Sequence, residues 1–224
     1  MEKFITEFIT LTTQNWASAW NNKTFRRLLI LGMLLIITAC ISTSFFFSYI
    51  EDSKEGVLLN DWVLRNIPAI DVSIPIVILV TSCMLLTSIR CAPDPNLFIT
   101  LIWAFVFQLI FRIITIAATR FYAPQGLIEL KDPIGSLLYH SRFITRDLFY
   151  SGHTAFLFQF YLCSKKIKDK YYFLFCTVAV GILLLVQHVH YSIDVATAPL
   201  FAFGCFWLSK RIILSQNAYL QGVE

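Results

Sequence analysis

Six apolar runs, separated by polar connections, constrain this chain more than any other feature of its sequence. The runs are Leu28–Ile50, Val72–Ile89, Leu97–Ala118, Phe149–Cys163, Tyr171–Gln187 and Ile193–Leu208. A helix needs roughly 20 apolar residues to cross the hydrocarbon core, so 224 residues leave little room for a separate soluble domain. With 57% hydrophobic and only 14% charged residues, the chain is more apolar than a soluble domain. We therefore predict an all-α, polytopic membrane protein with six transmembrane helices.

The distribution of lysine and arginine predicts the orientation of these helices. Cytoplasmic loops are enriched in both residues, and four lysines lie within Lys165–Lys170, between the fourth and fifth spans. This cluster places both termini in the cytoplasm. We predict an N-terminal cytoplasmic or interfacial segment at 1–26, a six-helix membrane domain at 27–214 and a cytoplasmic tail at 215–224. The first 20 residues space their aromatic side chains as an interfacial helix would, and a disordered tail is the alternative.

Two histidine-containing sequences lie on the non-cytoplasmic side of this topology. They are Ser151-Gly152-His153-Thr154 and His190-Tyr191-Ser192-Ile193-Asp194. On a continuing helix His190 and Asp194 share a face, so the carboxylate accepts the Nδ1 proton and leaves Nε2 facing a substrate. Such an imidazole is a nucleophile, and His153 at the same depth can protonate the leaving oxygen. Each residue alone is equally explained as a polar boundary residue, but ionisable groups within a span are costly, and the pairing favours catalysis.

These motifs resemble the sphingomyelin synthase branch of the type 2 phosphatidic acid phosphatase superfamily. That branch typically shows Gly-Asp-x-x-x-Ser-Gly-His-Thr and later His-Tyr-Thr-x-Asp-Val on a core of six transmembrane helices. Asp147 stands at the motif aspartate, whereas Arg146 replaces the glycine and Ser192 the threonine. The resemblance spans about residues 70–205. Upstream, an Arg-x-x-Thr motif that ends in proline is matched by Arg112, Thr115 and Pro124. A proline-rich motif before the third span is matched only in part, by Ala92-Pro93-Asp94-Pro95.

Two cationic motifs of the soluble and lipid-phosphatase members are absent from this sequence. They are Lys-x6-Arg-Pro and the Ser-Arg that begins the last histidine motif, where Leu183 and Leu184 stand here. A dianionic phosphomonoester needs such a clamp, whereas a monoanionic phosphodiester needs less positive charge. The resemblance, with this departure, favours head-group transfer over phosphatase activity.

The substrate is expected to contact polar residues around the catalytic trio of His153, His190 and Asp194. These candidates are Arg112, Arg142, Arg146, Asp147, Ser151, Gly152 and Tyr191. Arg112 lies within the third span and either binds the phosphate or snorkels outward. Asp147 orients His153, binds a cationic head group or begins the fourth helix. Arg142 and Arg146 are interface anchors unless they reach the phosphate, and Tyr191 also fits an aromatic belt.

The resulting hypothesis is a lipid phosphotransferase that moves a phospho-head-group from a glycerophospholipid to ceramide or diacylglycerol through a phosphohistidine. Phe149, Phe156 and Leu157 are expected to form an apolar rim that admits acyl chains and restricts water. The alternatives are a lipid phosphate phosphatase or phospholipase C-like hydrolase using the same trio, and a non-catalytic lipid-binding or transport protein.

The expected partners are membrane lipids. The net charge of +4 comes from short cationic clusters between apolar runs, which suits an anionic membrane surface and predicts no nucleic acid partner. We expect no cofactor and no metal. The site is expected to face the periplasm of a bacterial inner membrane, or the Golgi lumen or cell exterior in a eukaryote. The sequence leaves the oligomeric state open.

Overall fold

A computed structural model describes residues 2–53, 55–131 and 144–221. These ranges are predominantly helical and contain no strand. In chain order the helices are α1 (Glu2–Asn21), α2 (Lys23–Asp52), α3 (Trp62–Asn66), α4 (Ser73–Cys91), α5 (Pro95–Thr119), α6 (Gly152–Cys163), α7 (Ile167–Val186) and α8 (Ser192–Gln221). The prediction of an all-α, polytopic membrane fold is confirmed.

Five of the described helices are long and apolar enough to cross a membrane: α2, α4, α5, α7 and the Ser192–Leu214 part of α8. The helix at the fourth predicted span, α6, has only 12 residues. Its length is therefore about 18 Å, against a hydrocarbon core of about 30 Å. Six spans and cytoplasmic termini accordingly stay predictions.

The short helix α6 lies inside the bundle and is apolar on all sides because other helices surround it. Leu157 and Phe160 belong to one apolar cluster with residues of α4 and α7. On another side Ala155 packs with Ala198 and Ala202 of α8, and such small residues let two helix backbones approach closely. This packing sets the start of α6 beside the start of α8.

Loop segments cover the end of the bundle at which α6 and α8 begin. Val57 and Phe121 form a parallel bridge between the loop after α2 and the loop after α5. In the α7–α8 connection, the Tyr191 hydroxyl donates to the carbonyl oxygen of Tyr122, 2.9 Å away. The loops thereby hold the backbone that carries the second histidine motif.

At the opposite end, α1 is packed on the bundle. Trp16 donates from Nε1 to the carbonyl oxygen of Ala92 (2.7 Å), and Asn15 donates from Nδ2 to that of Pro93 (2.7 Å). The N-terminal segment is therefore helical rather than disordered. Its position at a membrane surface stays a prediction.

Candidate active site

A backbone hydrogen bond brings the two histidine motifs together. The N–H of Ser151, the N-cap of α6, donates to the carbonyl oxygen of Asp194, 3.1 Å away. Asp194 lies in the first turn of α8, and His153 lies in the first turn of α6. Two helix N-termini therefore meet at one place, and the positive ends of their dipoles suit an anion such as phosphate.

His190 and Asp194 form a buried pair. His190 Nδ1 lies 3.4 Å from Asp194 Oδ2, with His190 3% exposed and Asp194 fully buried. This separation is slightly longer than a hydrogen bond. Catalytic hydrogen bonds are often long in the absence of substrate and shorten when it binds.

The pair does not form in the way that the sequence predicted. The expectation of a continuing helix is wrong, because α7 ends at Val186 and α8 begins at Ser192, which leaves His190 in the connection. The carboxylate instead turns back toward the connection, where its Oδ2 accepts the N–H of Tyr191 at 3.0 Å. Asp194 thus caps the start of its own helix with the oxygen that faces His190.

Arg112 reaches the start of α6 from α5. Its guanidinium donates to the carbonyl oxygen of Tyr150 and to the carboxylate of Asp147. Gly152 permits this approach, since a Cβ at that position would lie only 2.6 Å from Nη1 of Arg112. The guanidinium therefore lies against the N-terminus of the helix that carries His153, instead of snorkelling away from it.

One of the three roles expected for Asp147, the N-terminal acid of the fourth helix, is wrong. The helix begins at Gly152, so Asp147 precedes it by five residues and does not supply its N-terminal acid. The carboxylate forms an ion pair with Arg112, and both side chains are largely buried. A substrate phosphate would compete with this carboxylate for the guanidinium. Orientation of His153 or binding of a cationic head group by Asp147 stays a prediction.

The remaining candidates for substrate binding, Arg146 and Tyr191, are buried and contact other parts of the protein. Arg146 is buried and donates to the carbonyl oxygens of Ile50 (2.9 Å) and Glu55 (3.1 Å), which fastens the loop after α2. Tyr191 is buried as well, and burial raises the pKa of its hydroxyl. Substrate contacts by these two residues stay predictions. Arg142 lies outside the described residues.

The expectation of an apolar rim around the site is wrong for two of its three residues, Phe156 and Leu157. Leu157 is fully buried, and Phe156 stacks on Phe105 of α5 with ring centroids 4.8 Å apart, so both point into the core. They do so because α6 is enclosed by other helices. Phe149 packs edge-on against Phe121 beside the site, at 6.1 Å between centroids.

Asp61 is a residue of the site that sequence reasoning missed. Its Oδ1 caps α3 by accepting the N–H groups of Val63 (2.9 Å) and Leu64 (3.3 Å), and its Oδ2 accepts the N–H of Ser192 at 2.6 Å. Burial raises the pKa of Asp61, but the hydrogen bonds from Ser192, Leu64 and Val63 outweigh it and hold the pKa below its ordinary value. An aspartate before Trp62 is a recognisable N-cap signal. No local pattern indicates that it also holds α8.

His188 fastens two loops. Its φ is 56°, and its buried ring places Nδ1 2.8 Å from the carbonyl oxygen of Gln125 and Nε2 3.2 Å from that of Ile67. Both ring nitrogens of His188 are therefore directed at backbone carbonyl oxygens of other loops.

Residues 146–211 match the family model described as PAP2 superfamily C-terminal. The matched range contains both histidine motifs. The match supports the type 2 phosphatidic acid phosphatase superfamily, and with it a membrane enzyme of the phosphatase or phosphotransferase type. It does not single out the sphingomyelin synthase-like branch. No curated protein matches the chain significantly.

Proposed function

We propose that this protein is a lipid phosphotransferase that moves a phospho-head-group from a glycerophospholipid to ceramide or diacylglycerol. The observation that carries the proposal is the buried His190–Asp194 pair, 3.4 Å apart, joined through Ser151 to the first turn of the helix that bears His153. A carboxylate beside one imidazole and a second imidazole nearby suit a two-step transfer through a covalent intermediate.

In the first step, the lone pair on Nε2 of His190 attacks phosphorus, and the bond from phosphorus to the diacylglycerol oxygen breaks. Protonated His153 gives its proton to that oxygen as it leaves. Asp194 stabilises the positive charge that develops on the attacking ring. Arg112 and the two helix N-termini stabilise the negative charge on the non-bridging oxygens.

In the second step, the hydroxyl of the lipid acceptor loses its proton to His153 and attacks the phosphohistidine. The bond between phosphorus and Nε2 breaks, and its electron pair returns to His190. Both histidines regain their starting protonation states, as microscopic reversibility requires. Water in place of the lipid alcohol would make the same intermediate hydrolytic.

A cleft between α2 and α5 supports a lipid substrate. Arg112 lines this cleft together with apolar side chains that include Phe47, Leu109 and Ile113, and its volume is about 50 Å³. Both α2 and α5 are candidate membrane spans, so a lipid in the bilayer would lie beside this cleft. An acyl chain lying against this cleft would bring its phosphate to the cation.

Incubation of the purified protein with a head-group-labelled phospholipid, with and without ceramide or diacylglycerol, tests the proposal. We expect a labelled lipid product to form faster than water-soluble phosphoester, and His190→Ala and His153→Ala to abolish it. Acid-labile label on the wild-type protein, absent from His190→Ala, would report the phosphohistidine. Equal release of phosphoester with and without lipid alcohol, or brisk phosphate release from phosphatidate, would identify a hydrolase instead.

We also propose that the trio faces away from the cytoplasm, because the lysine cluster lies at the opposite end of the bundle. Glu129 and Lys168 are exposed at the two ends and provide matched positions for labelling. In a cysteine-free background, Glu129→Cys should react with an impermeant maleimide added outside cells, and Lys168→Cys should react only after permeabilisation. The reverse pattern would invert the topology.

A further inference from the structure

A cavity of about 1080 Å³ lies at the end of the bundle opposite the trio. It is bounded by α1, by the α4–α5 connection and by the connection between α6 and α7 around Lys165. Asn15 and Trp16 hold α1 in place over it through their hydrogen bonds to Pro93 and Ala92. Pro95, at the cavity, is 17 residues from Arg112 on α5, or about 26 Å along the helix. The cavity is therefore separate from the candidate active site.

Among the residues that the structure describes, the charged lining of this cavity has an excess of one positive charge. Its cations are Arg90, Lys165 and Lys166, and its carboxylates are Asp94 and Asp169. Arg90 is tied to Asp169 by two hydrogen bonds, of 2.6 and 3.0 Å. Burial raises the pKa of Asp94, but the hydrogen bonds from Lys165 and from the N–H of Leu97 keep it below its ordinary value, so this carboxylate is charged.

Two of these cations are available to a ligand. Lys165 pairs with Asp94, but its side chain is 70% exposed, and exposed ion pairs contribute little. Among the described residues Lys166 has no ion-pair partner, and its side chain is exposed. An anion with one negative charge would balance the single excess positive charge of the cavity and could contact the ammonium groups of both Lys165 and Lys166.

Part of the remaining wall is apolar and is contributed by four different helices. Leu11 of α1, Leu28 of α2, Ile89 of α4 and Ile213 of α8 line it. Ends of candidate membrane spans line this cavity, so we expect it at the depth of lipid head groups. A soluble anion would leave these side chains uncovered, whereas a lipid would cover them with its glycerol and first methylene groups.

We propose that this cavity binds the phosphate of a monoanionic phospholipid such as phosphatidylglycerol, in the leaflet opposite the trio. Lys165 and Lys166 contact the phosphodiester, and the wall that includes Leu11 contacts the acyl chains. Phosphatidylcholine fits less well, because it is neutral overall and its quaternary ammonium group would meet the cations. The inference does not depend on the proposed reaction, since it concerns the other end of the bundle.

Thermal unfolding and native mass spectrometry, with added phosphatidylglycerol, phosphatidylcholine or inorganic phosphate, test this proposal. We expect phosphatidylglycerol alone to raise the unfolding temperature of the wild type. The double variant Lys165→Gln/Lys166→Gln should bind it on the order of tenfold more weakly. The matched control Lys168→Gln/Lys210→Gln removes equal charge at the same end but outside the cavity, and it should bind as the wild type does.

A second pair of variants tests the apolar wall. Leu11→Glu places a like charge in the cavity and should weaken phosphatidylglycerol binding, whereas Ile9→Glu, equally exposed on α1 but outside the cavity lining, should not. Equal losses in the test and control variants would reduce the effect to general surface electrostatics and overturn the proposal. Stabilisation by inorganic phosphate alone, or by phosphatidylcholine to the same extent, would also overturn it.

Discussion

Replacement of Asp61 tests how the site is positioned, because this carboxylate holds α8 without belonging to the trio. It accepts the N–H of Ser192 at 2.6 Å, and Ser192 lies between His190 and Asp194 in the chain. Loss of an N-cap costs about 0.5–2 kcal/mol, and a hydrogen bond to a charged group contributes about 1.5–3 kcal/mol. Because Asp61 is partly exposed and the effects are not additive, we expect Asp61→Ala to lower the free energy of unfolding by about 2 kcal/mol.

The effect of Asp61→Ala on turnover should exceed its effect on binding. A displacement of about 1 Å in a catalytic group can cost a hundredfold in rate, so we expect kcat to fall about 10- to 100-fold while KM changes little. Asp61→Asn keeps one acceptor oxygen and should recover part of this loss. The assay is head-group transfer from labelled phospholipid, at a temperature where circular dichroism shows each variant to be folded.

Asn22→Ala is the matched control for Asp61→Ala. Asn22 caps α2 at the opposite end by accepting the N–H groups of Thr24 (2.9 Å) and Phe25 (3.1 Å). Its loss should lower stability by a similar amount and leave kcat unchanged. If Asp61→Ala retained full turnover, or if both variants lost turnover in proportion to their stability, the positioning role would be refuted.

Three further predictions concern charge and space. Asp194→Asn should lower turnover severely, toward the ten-thousand-fold loss caused by the corresponding change in the serine-protease triad, with lipid binding measured separately and little changed. Gly152→Ala should displace the Arg112 guanidinium, since the new Cβ would lie 2.6 Å from Nη1, and should raise KM for the donor in the transfer assay. The pKa of Asp71 is lowered to about 2 by its hydrogen bonds from Ser73 and its ion pair with Lys131. Its contribution to stability is therefore present above about pH 4 and lost as pH falls toward 2, and a melting series should show Asp71→Asn lacking this dependence.

The membrane fold could be predicted from sequence because each long apolar run carries its own signal. The start of α6 was also accessible, since Ser151 is a strong N-cap residue and places the first helical residue at Gly152. The helical state of residues 2–21 was not decided by the sequence, because its contacts with Ala92 and Pro93 are distant in the chain. Local sequence patterns thus predicted the apolar helices, whereas contacts between residues distant in the chain decided the state of the N-terminal segment.

The candidate site was predictable in its residue types and not in its connections. The spacing of His190 and Asp194 indicated a pair, but for a helical reason that is wrong, since a capping turn forms it. The contact between Asp61 and Ser192 joins residues 131 positions apart and leaves no trace in local sequence. Arg146 was interpreted as an interface anchor, because nothing in the sequence indicates that the carbonyl oxygens of Ile50, at the end of α2, and Glu55, in the following loop, accept its donors.

The choice of nucleophile within the His188-x-His190 pair follows from what each ring can offer to phosphorus. Carbonyl oxygens only accept hydrogen bonds, so a His188 ring that donates to both Gln125 and Ile67 has no lone pair left. If only Nδ1 donates, the lone pair on Nε2 points at the carbonyl oxygen of Ile67, 3.2 Å away, where a phosphorus atom does not fit. His190 has an acidic partner at Nδ1 and no such carbonyl among its described contacts. His188→Ala should therefore lower the unfolding temperature while the protein still forms the phosphoenzyme, and loss of the acid-labile label in folded His188→Ala would reverse the assignment.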